Sequence, residues 1–118
     1  MAIRPCRPVF SPHGGLWGPI GDLVPILAQH LEAGRDPSHP LHDMQNVHQA
    51  CSGRERVDGD SGLGWRVLSG SPARVSHGGR GPGYTAEMVV QPDSGRAVAV
   101  LGNATFDVTS VAAALLDG

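Results

Sequence analysis

The chain has 118 residues and a formal net charge of −2, so it is long enough for one domain and offers no basic face to nucleic acid. Its apolar runs, the longest at 97–101 and 111–116, fall far short of the ~20 residues that cross a bilayer, which excludes a membrane-spanning segment. Leu, Ile, Val and Phe make up 27 residues, against 17 Gly and 10 Pro, and this balance predicts a thin core with long irregular connections.

The first residues contain three prolines and no hydrophobic periodicity. Proline lacks the N–H that helices and strand ladders use, so residues 1–12 are predicted to be a disordered leader and 13–118 the folded part. The leader also lacks the apolar segment of a secretory signal, and we expect a cytoplasmic location. In that reducing compartment Cys6 and Cys51 are expected to be free thiols.

Two helices are predicted ahead of the strands. Apolar residues recur at helical spacing from Ile20 to Leu31, with Asp22 as the expected N-cap and Gly34 as a left-handed C-cap. A second apolar stripe predicts another helix from about Pro40 to Cys51.

Four strands are predicted next, at 64–68, 73–77, 85–91 and 96–102. The segments between them carry the glycine and proline of tight reversals, so neighbouring strands should be antiparallel. The apolar period from Phe106 to Leu116, after Thr105 as N-cap, predicts a C-terminal helix that covers the sheet. The expected fold is therefore α+β: an antiparallel sheet of three to four strands, a covering C-terminal helix and two preceding helices.

Five short motifs follow one another in the second half of the chain: GLGW at 62–65, HGG at 77–79, PGY at 82–84, QPDSG at 91–95 and AVAVLGN at 97–103. In this order they resemble the C-terminal portion of serine β-lactamase-like hydrolases, the superfamily of penicillin-binding proteins, class C-type β-lactamases and related esterases. The resemblance covers roughly Ser11 to Asp117. It implies a partial β-lactamase/transpeptidase-like fold, with neither cofactor nor metal.

The chain lacks the motifs that activate the nucleophile in this superfamily, a Ser-x-x-Lys and an upstream Tyr-x-Asn. It contains no lysine, and its only tyrosine, Tyr84, follows the HGG triplet. A hydroxyl is a poor nucleophile until a neighbouring base takes its proton, so the chain alone is expected to be inactive. The resemblance implies a parent enzyme that hydrolyses a small ester or amide through an acyl-serine.

The candidate site residues surround the HGG triplet, which the resemblance places on a strand that lines the cleft. His77 and the backbone N–H of Arg80, one of two oxyanion donors, are the candidate catalytic groups. Gly78 and Gly79 would let the substrate approach the backbone, and Tyr84 would contact it. The second donor is the nucleophile's own N–H. A separately encoded N-terminal half would supply it if the chain is half of a split enzyme; the alternatives are a truncated gene product and a decayed copy.

Two other motifs have bland explanations. The GDSG at 59–62 resembles the segment around the chymotrypsin nucleophile, but that fold needs about twice this length. His39, His42, His48 and Cys51 match no closed zinc module.

The alternative function is a non-catalytic binding or assembly module that keeps the cleft strand for contact with a ligand or partner. A sheet cut from a larger fold should also expose an edge and apolar patches, which favours a marginal monomer or a homo-oligomer.

Overall fold

The structure is a computed structural model in which residues 16–50 and 59–118 are described. The predicted leader and both cysteines lie outside these residues. The described part forms one antiparallel sheet between two helices, α1 at Leu23–Arg35 and α2 at Val108–Asp117. Neither helix, nor any other in this part, is long and apolar enough to cross a membrane.

The sheet is a meander in which each strand pairs with its neighbours in the sequence, in the order β1-β2-β3-β4-β5. The strands are β1 Asp60–Ser61, β2 Arg66–Leu68, β3 Arg74–Gly81, β4 Tyr84–Gln91 and β5 Arg96–Gly102. All pairs are antiparallel, so the predicted α+β class and the sheet type are confirmed. The two-residue β1 raises the strand count to five.

The two helices pack on opposite faces of the sheet, which we call the α1 face and the α2 face. Val90 packs with Leu27 on the α1 face, whereas its neighbour Val89 packs with Ala112 and Leu116 on the α2 face. Successive residues of a strand point to opposite faces, so a strand covered on both sides is apolar at consecutive positions. Each fully buried side chain of this kind contributes about 1.5–3 kcal/mol of transfer free energy.

The second predicted helix is not formed, which leaves α1 as the one α-helix ahead of the strands among the described residues. Only a short 3-10 turn occurs, at His42–Gln45, and Gln49 then bridges Ser61 of β1. The backbone of this segment bonds across the fold instead of along itself, since the carbonyl of Met44 accepts from the N–H of Leu63 at 3.0 Å. Tertiary pairing has overridden the helical period.

Two predicted helix caps are wrong: Gly34 as the C-cap of α1 and Thr105 as the N-cap of α2. Gly34 does not end α1, which continues to Arg35; a β-carbon at Gly34 would overlap the ring of Pro92, so its role is close packing. At α2 the N-cap is Asp107, not Thr105, because the Asp107 carboxylate accepts from the next turn of backbone N–H groups.

Candidate functional site

In the described part of the chain, strand β3 is paired on both sides only in its first half. Residues 74–76 pair with β2, whereas His77–Gly81 pair, within the described residues, with β4 alone. The strand runs four residues past its predicted end at His77, through the glycines, because β4 supplies a complete ladder for them. The HGG triplet therefore begins where one edge of β3 becomes uncovered.

The backbone N–H of Arg80 is directed to that uncovered edge. A two-residue loop at 82–83 makes Gly81 and Tyr84 the closing pair of the hairpin, in which the turn hydrogen bond forms. Hydrogen-bonded and non-bonded pairs alternate along an antiparallel ladder, so the next pair, Arg80 and Thr85, is non-bonded. Both backbone polar groups of Arg80 then point away from β4.

The His77 side chain lies exposed on the α1 face. Its Nδ1 is 2.9 Å from the carbonyl oxygen of Gly64, and its ring stands edge-on to the buried Trp65, with 6.5 Å between centroids. A carbonyl only accepts, so Nδ1 carries the proton and the neutral ring keeps a lone pair on Nε2. The GLGW and HGG motifs, twelve residues apart in the chain, thus meet through this bond.

His30 contacts the ring of Trp65, which His77 also contacts. The sequence analysis did not identify His30. It is only 7% exposed and its ring packs edge-on to Trp65 at 4.7 Å. Burial lowers the pKa of His30, and charge on His39 lowers it further. His30 lies one turn from Leu27 on the apolar stripe of α1, and this spacing could have predicted its burial. The spacing gives no information about the contact with Trp65.

The two glycines of the triplet have different surroundings. A β-carbon at Gly78 would overlap Oε2 of Glu87, whereas one at Gly79 would meet nothing within 4 Å. Gly78 is therefore required by packing on the α2 face. That both glycines let a substrate approach the backbone stays a prediction. Gly79, on the α1 face beside His77, leaves open space next to the backbone.

Glu87 is a second residue that sequence reasoning missed. It is 3% exposed and accepts a hydrogen bond at 2.7 Å from the guanidinium of Arg66. A cavity of about 170 Å³ lies beside this ion pair on the α2 face, between Gly78 and the first turn of α2. In the sequence, Glu87 is a single carboxylate within the apolar run of β4. Because a buried charge needs a partner, this position could have predicted a buried ion pair.

The remaining candidates lie at the hairpin end. Tyr84 is half-buried, and its ring meets Trp17 edge-on at 5.3 Å on the α1 face. The Arg80 side chain is exposed on the α2 face, so only its backbone shares the uncovered edge with the triplet. The structure thus brings His77, Gly79 and Tyr84 to one face, whereas the side chain of Arg80 lies on the other.

The histidines of the metal hypothesis have separate partners. Nδ1 of His42 is 2.6 Å from the Ala33 carbonyl, and His48 lies 3.3 Å from the carboxylate of Asp43. Across residues 16–50 and 59–118, no three His, Cys, Asp or Glu side chains form a group that could hold a metal ion.

The chain matches no family model, no curated protein and no solved structure.

Proposed function

We propose that this chain is the C-terminal portion of a serine hydrolase of the β-lactamase-like superfamily, and that it supplies a cleft wall and one oxyanion donor to a nucleophile carried on another polypeptide. The observation that carries the proposal is the outward N–H of Arg80 on the uncovered half of β3, three residues after a His77 whose ring is held by Gly64. A donor fixed in a strand needs no reorganisation when charge develops in front of it.

The proposed reaction begins when the partner's serine passes its proton to the lysine of the partner's Ser-x-x-Lys and attacks the carbonyl carbon of a small ester or amide. Negative charge moves to the carbonyl oxygen, which then accepts from the N–H of Arg80 and from the serine's own N–H. The bond to the alcohol or amine then breaks, this group leaves with a proton, and water hydrolyses the acyl-serine to the acid. Loss of one such donor lowers kcat by about 10²- to 10³-fold. The open space at Gly79 lets the substrate approach the strand without a blocking side chain.

His77 stands where many relatives of the superfamily carry the lysine of a Lys-Thr-Gly triplet. With Nδ1 donating to Gly64, the free Nε2 can accept a hydrogen bond or a proton from the reacting groups on the α1 face. This role needs the imidazole in one orientation, and the Gly64 carbonyl provides it.

The first test is genomic and biochemical together. We expect an adjacent reading frame that encodes Ser-x-x-Lys and Tyr-x-Asn, and the two polypeptides purified together should hydrolyse nitrocefin or p-nitrophenyl esters. His77→Ala should abolish this activity, while His48→Ala, at a histidine paired with Asp43 away from β3, should not. Absence of such a frame, or a pair that stays at the buffer rate, would favour a relic of the enzyme or the binding module.

The role of the Arg80 N–H has a matched pair of variants. Arg80→Ala keeps the donor, whereas Arg80→Pro removes it, and proline is tolerated where a strand N–H faces away from the ladder. In the co-purified enzyme we expect near-normal kcat for Arg80→Ala and a loss of about 10²-fold or more for Arg80→Pro. Equal activity of the two variants would remove Arg80 from the mechanism.

A further inference from the structure

Strand β5 is the last strand of the sheet, and within residues 16–50 and 59–118 one of its edges is unpaired. β4 pairs with it along its whole length, and no other strand of the described residues lies on its far side. Backbone N–H and C=O groups of alternate residues therefore point outward over seven residues. Proteins usually guard such an edge with Lys, Pro or a bulge, but β5 reads RAVAVLG and carries only Arg96, at its first position.

Exposed apolar side chains of α2 lie along this edge. The guanidinium of Arg96 is 3.4 Å from the carbonyl oxygen of Leu115, which places that turn of α2 beside β5. Leu115 is 56% exposed, and Val111, one turn earlier on the same side of the helix, is also exposed.

Helix α1 contributes a similar residue on the other face. Leu31 packs against the same buried cluster as Ala97 and Ala99 of β5, and α1 contacts β5 directly, so we place this side of α1 towards β5. Val24 precedes Leu31 by two helical turns on the same side and is 62% exposed. The edge of β5 is therefore bordered by uncovered apolar side chains above and below the sheet.

We propose that this edge binds a second copy of the chain, β5 against β5, so that the sheet continues across a two-fold axis at Ala99. This inference goes beyond the proposed hydrolase function and does not depend on it. A two-fold contact needs only one surface, which pairs with itself, and an antiparallel strand edge is such a surface.

The register centred on Ala99 pairs all seven residues of β5 without conflict. Arg96 then faces Gly102 of the second copy, so no like charges meet. The small Ala97 faces the large, exposed Leu101, and Val98 faces Val100. Residues that face each other point to the same side of the sheet, so each helix meets its own copy running in the opposite direction, and the exposed Val24 and Leu115 lie along the two seams between helices.

The chain's own leader is a poorer occupant on sequence grounds. The described part begins at Leu16, next to Trp17, whose ring contacts Tyr84 near the Gly102 end of β5, so the preceding residues join the described part near this edge. Successive N–H groups of a strand point to opposite edges, and Pro5 and Pro8 are three residues apart. In a strand that contains both prolines, one of them would therefore face β5 without the backbone N–H that the ladder needs.

The primary test is the mass of the full chain by sedimentation equilibrium and light scattering. We expect a dimer, and a shift to the monomer mass in Val24→Glu and in Leu115→Glu, both at exposed positions. The matched control is Ile26→Glu, also exposed but one turn before His30 on the other side of α1, which should remain dimeric. A wild-type monomer throughout the micromolar range would overturn the proposal, as would dimers unaffected by Val24→Glu and Leu115→Glu.

Cross-linking tests the register. In a background with Cys6→Ser and Cys51→Ser, Ala99→Cys should give a disulfide-linked dimer, because facing Cα atoms at about 4.5–5.5 Å suit a disulfide. Ala97→Cys, which faces Leu101, should not. Cross-linking by Ala97→Cys alone would exclude this register.

Two results would assign the edge to another occupant and overturn the proposal. One is a full-length monomer that dimerises when residues 1–15 are deleted, which would show that the leader covers β5. The other is failure of reduced Ala99→Cys to form the cross-link on oxidation in the presence of a nucleophile-bearing half, because β5 would then pair with that half. Neither result depends on an activity measurement, so failure of this proposal is separable from failure of the proposed function.

Discussion

The ring of His77 donates from Nδ1 to the carbonyl oxygen of Gly64 at 2.9 Å, which joins a strand residue to the loop before β2. This bond fixes the tautomer of His77 and leaves Nε2 open on the α1 face. Trp65, the residue after Gly64, is buried between His30 and the sheet, so the acceptor carbonyl is itself held in place.

We expect the isolated chain to hydrolyse neither nitrocefin nor p-nitrophenyl esters above the buffer rate. The physical reason is that a serine without an adjacent lysine or other base stays protonated and is a weak nucleophile. The measurement is initial rate at high protein concentration, together with labelling by a fluorophosphonate probe. Labelling of one serine that is lost on its mutation would contradict the expectation.

Gly78→Ala and Gly79→Ala should have opposite effects on stability. A methyl group at Gly78 overlaps Oε2 of Glu87, which is buried and bonded to Arg66 and cannot move without breaking the ion pair. We expect a cost of about 1–3 kcal/mol for Gly78→Ala. Gly79→Ala enters open space and should stabilise the fold by about 0.4–1 kcal/mol. Urea unfolding measures both, and equal effects would place Glu87 elsewhere.

The free energy of unfolding should decrease as the pH falls through the range where His30 takes up a proton. Burial holds the pKa of His30 in the folded chain below its usual value near 6.5, so the unfolded chain takes up the proton first. Its contribution is therefore fully present above about pH 6.5 and is lost as the pH falls below it. His30→Phe keeps an aromatic ring against Trp65 and should flatten the dependence of the unfolding free energy between about pH 7.5 and 5. Parallel pH profiles for the two proteins would be inconsistent with this role.

Hydrogen bonding lowers the pKa of two carboxyls, Asp36 through Ser38 and Asp107 through Ser110. The stability that these two carboxylates contribute is lost only when the pH falls below the usual carboxyl pKa near 3.8. This loss lies outside the pH range used for His30.

Gly34→Ala should destabilise the chain although alanine is the better helix former by about 1 kcal/mol. Its β-carbon would collide with the ring of Pro92, and we expect a net cost of about 1–3 kcal/mol. The control is Gly21→Ala, in the turn before α1, where a β-carbon meets nothing within 4 Å. Thermal unfolding of both variants decides, and a Gly34→Ala protein as stable as the Gly21→Ala protein would refute the close contact.

The sequence alone predicted the elements whose signals are local. Alternation and turn residues identified β2 to β5 and their antiparallel order, because strand period and reversals depend on neighbouring residues. The helical period identified α1 and α2 for the same reason.

Contacts between distant segments were decided only by the tertiary structure. The helix expected from Pro40 is replaced by a 3-10 turn whose Met44 carbonyl bonds to Leu63, a choice that no local period reveals. Likewise, Gly34 is a packing residue against Pro92, although its position near a helix end is typical of a cap.

The candidate site divides in the same way. The sequence determined which residues stand at 77–80, and hence which chemical groups are available. The tertiary structure decided that β2 leaves His77–Gly81 uncovered, that Gly64 orients the His77 ring, and that Gly78 makes room for Glu87. The physical reason is that strand length, pairing and side-chain contacts across the sheet depend on residues far apart in the chain, whereas residue type and period are carried by the sequence itself.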